Sequence, residues 1–126
     1  MPEHDRTEAL TDAVRAARES GAPVSILGGG TKEFYGESVD AAPLAVAGHA
    51  GVVAYEPTEL VLTARSGTPL AEIEALLADN GQMLAFEPPG FGDGATLGGV
   101  VASGLSGPRR PWGGSVRDHV LGVRIV

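Results

Sequence analysis

The sequence predicts an α+β chain, and three observations carry the assignment. Residues 6–19 space their apolar side chains as an amphipathic helix and feed through a Gly-Ala-Pro turn into an apolar strand at 24–27. Further short apolar runs follow, interrupted by a second helical stretch at 69–79. Beyond residue 88 the chain becomes glycine-rich and loop-dominated. A chain of 126 residues is long enough for one modest domain with a real core.

In the first helix Leu10, Ala13, Val14 and Ala17 form one stripe, with Arg15, Arg18 and Glu19 outside it. Asp5 or Thr7 suits its start, and Gly21 suits a left-handed C-terminal position. After strand 24–27, residues 33–43 read as a loop and 44–46 as a second strand. A third strand at 52–55 closes at Pro57, and a fourth at 60–64 is apolar enough to be buried on both faces. Thr68 and Pro69 then supply an N-cap and a first helical proline. Helix 69–79 turns Leu70, Ile73, Leu76 and Leu77 inward and ends at Asn80-Gly81; residues 82–85 suggest one more strand. Residues 95–103 read as a short helix of small residues capped by Thr96, whose N-terminus favours an anion. The segment 119–126 alternates like a half-buried strand. With no hairpin partner after it, it suggests a piece of a longer chain.

Strand 24–27 breaks directly into Gly28-Gly29-Gly30-Thr31-Lys32. Glycines let backbone amides approach a ligand closely, and successive N–H groups in one concavity make an anion nest. Thr31 adds a hydroxyl and Lys32 a positive charge, so the natural occupant is a phosphate or pyrophosphate; the alternative is a plain glycine-rich turn. Gly29→Val is expected to block such an occupant and to remove the positive-φ option. A Walker A loop is excluded because Lys32 follows Thr31 instead of preceding it. Gly90-Phe91-Gly92-Asp93-Gly94-Ala95 matches a dinucleotide fingerprint, but Pro88-Pro89 occupies the place of the required strand.

Composition narrows the function further. A net charge of −7 argues against nucleic acid as the main partner. Arg109, Arg110, Arg117 and Arg124 nevertheless cluster late in the chain with Asp118 as the one acid among them. They suit either surface solubility or an anionic partner. Without cysteine there is no disulfide, thiolate nucleophile or cysteine-ligated metal in this chain, which fits a reducing compartment. The N-terminus lacks the basic and apolar regions of a signal peptide, and no stretch approaches a membrane span. A cytoplasmic setting is expected, with at most peripheral attachment to a membrane through a complex.

Four motifs in order carry a family resemblance. They are the Gly-Gly-Gly-Thr-Lys loop, the run from Glu56-Pro57-Thr58 to Thr68-Pro69-Leu70, Gly94-Ala95-Thr96-Leu97-Gly98-Gly99, and Gly114-Ser115-Val116-Arg117-Asp118. Together they resemble the FAD-binding domain of the vanillyl-alcohol oxidase and p-cresol methylhydroxylase type. Gly-Gly-Gly-Thr-Lys-Glu-Phe-Tyr-Gly, Gln82-Met83-Leu84-Ala85-Phe86-Glu87-Pro88-Pro89 and Leu105-Ser106-Gly107-Pro108-Arg109-Arg110-Pro111-Trp112 are closer still to the FAD-binding E subunits of bacterial glycolate oxidases.

The resemblance implies an α+β fold in which two subdomains grip FAD. Residues 1–80 would form the small α/β one, with three strands, and 81–126 the start of the second. It implies that Leu27, Gly28, Gly29, Gly30, Thr31 and Lys32 hold the pyrophosphate, that Gly94, Thr96, Leu97, Gly98 and Gly99 line the nucleotide, and that Gly114, Ser115 and Asp118 close its other side. It further implies oxidation of glycolate or a related small 2-hydroxy acid, with flavin and iron–sulfur partner subunits. A non-catalytic electron-transfer or assembly subunit, docking through residues 109–112, is the alternative. The glycine loop contains no histidine, so non-covalent FAD is expected. No catalytic base and no metal site can be named, and His4, His49 and His119 read as structural or surface residues.

Overall fold

The computed structural model describes residues 4–126; the first three residues of the segment read above for a leader lie outside it. The stripe of Leu10, Ala13, Val14 and Ala17 produces helix α1, Thr7–Ser20, with those four side chains half-buried. Arg6 occupies the N-cap position, yet Asp5 does the capping. Its carboxylate accepts the Thr7 amide at 3.0 Å and the Thr7 hydroxyl at 2.7 Å. Gly21, at φ 68°, turns the chain out of the helix.

Strand β1, Val24–Leu27, pairs in parallel with β2, Ala42–Ala45, from Val24↔Ala42 to Leu27↔Ala45. The second strand therefore starts before the expected 44–46 and includes Pro43, which a two-stranded sheet tolerates because each strand keeps a free edge. Strands β3, Val52–Glu56, and β4, Val61–Ala64, form an antiparallel hairpin with an irregularity at Val53. Leu60, expected as the first residue of the fourth strand, instead closes the hairpin turn at φ 59°. The expectation of a strand buried on both faces fails as well. β4 has one neighbour, and Thr63 faces solvent.

Helix α2, Leu70–Ala78, buries Leu70, Ile73 and Leu77 as its spacing requires, with Leu76 half-buried. Thr68 does not cap it. Its hydroxyl turns away, donating to the Arg65 carbonyl at 2.6 Å and accepting the Gly51 amide at 2.9 Å. The expected strand at 82–85 is absent because side chains, not a ladder, hold that segment. The Tyr55 hydroxyl donates to Gln82 Oε1, and Gln82 Nε2 donates to the Pro57 carbonyl at 2.8 Å.

Three short helices follow: α3, Leu97–Ser103; α4, Arg110–Gly113; and α5, Val116–His119. The strand expected over 119–126 does not form. His119 ends α5, and the exposed residues after it meet no partner strand among the described residues, so alternation alone makes no ladder. One hydrophobic cluster, Leu70, Phe86, Ala95, Val100 and Val116, joins α2, α3 and α5.

Ile73 is fully buried, so Ile73→Ala should lower unfolding free energy in urea by about 2–5 kcal/mol. Thr68→Val keeps the shape of another fully buried residue but strands its hydrogen-bond partners. It should cost about 1–3 kcal/mol, and Thr68→Ser should recover most of that.

Candidate functional site

The first two predicted segments meet, and the third packs against the second through Val116, which shares a cluster with Ala95 and Val100. Leu27 ends β1 with its carbonyl accepting the Val46 amide at 2.9 Å, and the chain then enters the glycine loop. Among the described residues, none of the backbone N–H groups of residues 28–32 donates to a protein acceptor. Gly30, at φ 71°, is the one glycine of this loop that needs the left-handed region. Gly29 is required for another reason. A Cβ there would overlap the carbonyl oxygen of Gly94, so the two loops cross backbone on backbone. Beside this crossing, a Cβ on Gly28 would lie 2.7 Å from Thr96 Oγ1. The expected Gly29→Val defect therefore arises from the neighbouring loop and not from a lost positive φ.

Lys32 reaches over the same place. Its Nζ lies 3.5 Å from Thr31 Oγ1 and 3.7 Å from where a Gly99 Cβ would stand, and no carboxylate pairs with it among the described residues. Opposite it, Thr96 caps α3 by accepting the Gly99 amide at 3.3 Å. The other amides at this helix start are also committed: Leu97 N–H to the Thr68 carbonyl at 2.9 Å, and Gly98 N–H to the Ser66 carbonyl at 2.7 Å. The second segment thus offers a close glycine wall with the amides of residues 97–99 committed, and the first loop offers a run of five uncommitted amides beside a cation.

Gly114, Ser115 and Asp118 form their own unit. Asp118 Oδ2 accepts the Ser115 amide and hydroxyl, each at 2.8 Å, making a reciprocal cap on α5. These bonds hold the Asp118 carboxyl below the usual carboxylate range. The carboxylate stays ionised and positions the turn. His119 is structural as well, with Nε2 2.7 Å from the Gly113 carbonyl oxygen and its ring against Phe86.

Sequence reasoning missed the brace behind the crossing. Three carbonyl oxygens, of Val46, Ala47 and His49, crowd the space a Gly67 Cβ would need, and the Gly67 amide donates to His49 at 2.8 Å. Ser66, Gly67 and Thr68 stand inside the motif run 56–70. Read locally they signal only a turn and a cap. Their function depends on loops distant in sequence. His49 itself accepts the Arg6 amide through Nδ1 at 3.0 Å.

The late arginines divide. Arg109 is engaged, its guanidinium 3.1 Å and its amide 3.2 Å from the Glu87 carboxylate, which lowers the Glu87 pKa and raises that of Arg109. Arg110 forms no ion pair among the described residues, Arg117 lies near enough to Asp118 to help lower its pKa, and Trp112 is 86% exposed. No group of three potential metal ligands occurs among the described residues, and no described helix is long and apolar enough to cross a membrane.

Asp5 yields a pH test of the brace. Bonds from the Thr7 hydroxyl and amide, with Arg65 behind them, lower its carboxyl from 3.8 to about 2. Because folding depresses this pKa, the tether is at full strength above pH 3.8 and weakens as pH falls toward about 2. An NMR titration of the Asp5 carboxyl, read with Thr7 amide exchange, should show that window. Asp5→Asn should abolish it.

Three known proteins share this sequence pattern. The chain is 54% identical over 126 residues to the glycolate oxidase subunit GlcE of Escherichia coli K12, covering all of this chain and 36% of that protein. It is 32% identical over 90 residues to L-gulonolactone oxidase 3 of Arabidopsis thaliana, covering 69% of this chain and 15% of that one. It is 29% identical over 75 residues to the mitochondrial D-lactate dehydrogenase [cytochrome] 1 of Saccharomyces cerevisiae, covering 60% and 12%. The chain thus spans about a third or less of the length of these relatives. No solved structure matches it. The model of the FAD binding domain matches residues 3–126, and with the glycine crossing at its centre the chain belongs to this family of FAD-binding domains.

Proposed function

We propose that this chain is the FAD-gripping part of a subunit that oxidises glycolate or a related small 2-hydroxy acid to the 2-oxo acid. The observation that carries the reading is the run of uncommitted amides at 28–32 beside the unpaired Lys32 ammonium. Successive uncommitted N–H groups and a cation with no ion-pair partner suit a pyrophosphate. The likeness to a glycolate oxidase subunit supports the substrate class.

In this reading the amides of Gly28, Gly29, Gly30, Thr31 and Lys32 hold the pyrophosphate, with the Thr31 hydroxyl and Lys32 ammonium completing the donor set. Gly94, Thr96, Leu97, Gly98 and Gly99 form the opposite wall. Gly114, Ser115 and Asp118 close the far side, Asp118 acting by fixing its turn. FAD, when bound, supplies the two-electron acceptor that no side chain provides. The protein's part is to bind it, orient it and exclude water. Binding is non-covalent, since the loop offers no histidine and Nδ1 of His49 is taken by the Arg6 amide. Residues 1–80 constitute the first subdomain and 81–126 begin the second. Partner subunits carrying flavin and iron–sulfur clusters complete the assembly, in the cytoplasm and at most peripherally at a membrane.

The exposed Trp112 beside the unpaired Arg110 favours a second reading, a subunit that binds FAD but serves electron transfer or assembly by docking through this corner. The two readings separate in one experiment. These residues alone are expected to be inactive, so the full-length protein is used: anaerobic glycolate should bleach its flavin bands directly, and bleaching only after partner subunits are added favours the second.

The cofactor assignment has its own test. Purified protein loaded with FAD and desalted should retain flavin absorbance, whereas Gly29→Ala should lose it, because a methyl group there displaces the 94–99 wall. Gly122→Ala, in open space, should retain it. Lys32→Met should weaken FAD roughly tenfold and flatten the salt dependence of binding. Full retention by Gly29→Ala would remove the loop from the site.

A further inference from the structure

Two aromatic side chains, Phe34 and Phe91, stand beside the glycine crossing. Phe34 follows Lys32 by two residues, in a turn closed by the Tyr35 amide donating to the Lys32 carbonyl at 2.9 Å. Phe91 precedes Gly94 by three residues. The two rings meet edge to face, with centroids 5.0 Å apart and planes at 73°. The pair therefore bridges the same two loops that cross at Gly29 and Gly94. A ring pair that served only as an apolar clasp would be buried. Instead Phe34 is 66% exposed, Phe91 48% and the neighbouring Tyr35 59%.

From this placement we infer that Phe34 and Phe91 form an aromatic platform for a planar ring system of the nucleotide whose pyrophosphate sits in the 28–32 nest. The inference rests on the FAD reading and adds a second recognition element to it. An anion nest selects for phosphate and cannot tell a dinucleotide from free pyrophosphate. An exposed π-face on its rim adds selectivity for a phosphate that carries a ring, through stacking and the burial of otherwise wet aromatic surface. The T-shaped contact leaves one face of each ring available while holding both loops in place. Either the adenine or the isoalloxazine ring satisfies this chemistry.

The test compares ligands that share the phosphate and differ in the ring. Binding of FAD, ADP, FMN and inorganic pyrophosphate is measured by calorimetry on the wild type and on Phe34→Leu, with Phe91→Leu as the second variant. Leucine preserves an apolar clasp and removes the π-face. FAD should weaken about tenfold in either variant, while pyrophosphate affinity stays unchanged. An accompanying loss for ADP assigns the ring as adenine, and a loss for FMN assigns it as isoalloxazine. Unchanged FAD affinity in both variants would overturn the platform, as would an equal loss for pyrophosphate, which would make the pair a structural clasp. Failure of the wild type to bind FAD at all would instead strike the cofactor reading, so the two failures are distinct.

Discussion

Two backbones pass so closely at Gly29 and Gly94 that no side chain fits between them, and the rest of the site is arranged around that contact. A carbonyl oxygen occupies the place where Gly29 would carry its Cβ. The crossing brings loops 65 residues apart into one concavity, by the difference of their numbers. It also sets the uncommitted amides of one loop beside the glycine wall of the other. Close-packed interiors transmit small volume changes, so a single methyl group here is a change in the position of a whole wall.

The crossing is held from behind by hydroxyl struts. Thr96 presents Oγ1 toward Gly28 and accepts the Gly99 amide. Thr68, fully buried, uses its hydroxyl to join residue 51 to residue 65 and its carbonyl to anchor the start of α3. Both threonines place hydrogen-bonded hydroxyls in the interior, which stiffens the surrounding loops in a way an apolar contact could not. Gly67, packed against three carbonyl oxygens, extends the same brace to the loop after β2.

A division of labour follows. Amides at the start of α3 are consumed by the Thr68 and Ser66 carbonyls and by Thr96, so that helix contributes shape. Amides at 28–32 are left uncommitted, and that loop contributes charge recognition. Unsatisfied donors are rare in folded proteins except where a ligand or water meets them. The start of α3 spends the amides of residues 97–99 on protein acceptors and the loop at 28–32 does not, which makes that loop the donor side of the site.

Much of this was legible in the sequence. Helix α1 and its stripe, the buried face of α2, the Thr96 cap and the strand-to-glycine break at 28–30 are local patterns of period, cap and turn, and a linear reading captures them because their causes lie within a few residues. The four ordered motifs also pointed to FAD. Strand character at 82–85 and 119–126, burial of 60–64 on both faces and the capping role given to Thr68 were misread, since each depends on a neighbour that sequence order does not reveal. Residues 82–85 were claimed by the Tyr55 and Pro57 contacts to Gln82, and Thr68 by Gly51 and Arg65. By itself the sequence determined the three longer helices, α1, α2 and α3, and which residue types could meet a phosphate; the short α4 and α5 went unread. Only the tertiary structure decided which donors remain free to do so, because commitment of an N–H group is settled by what packs against it.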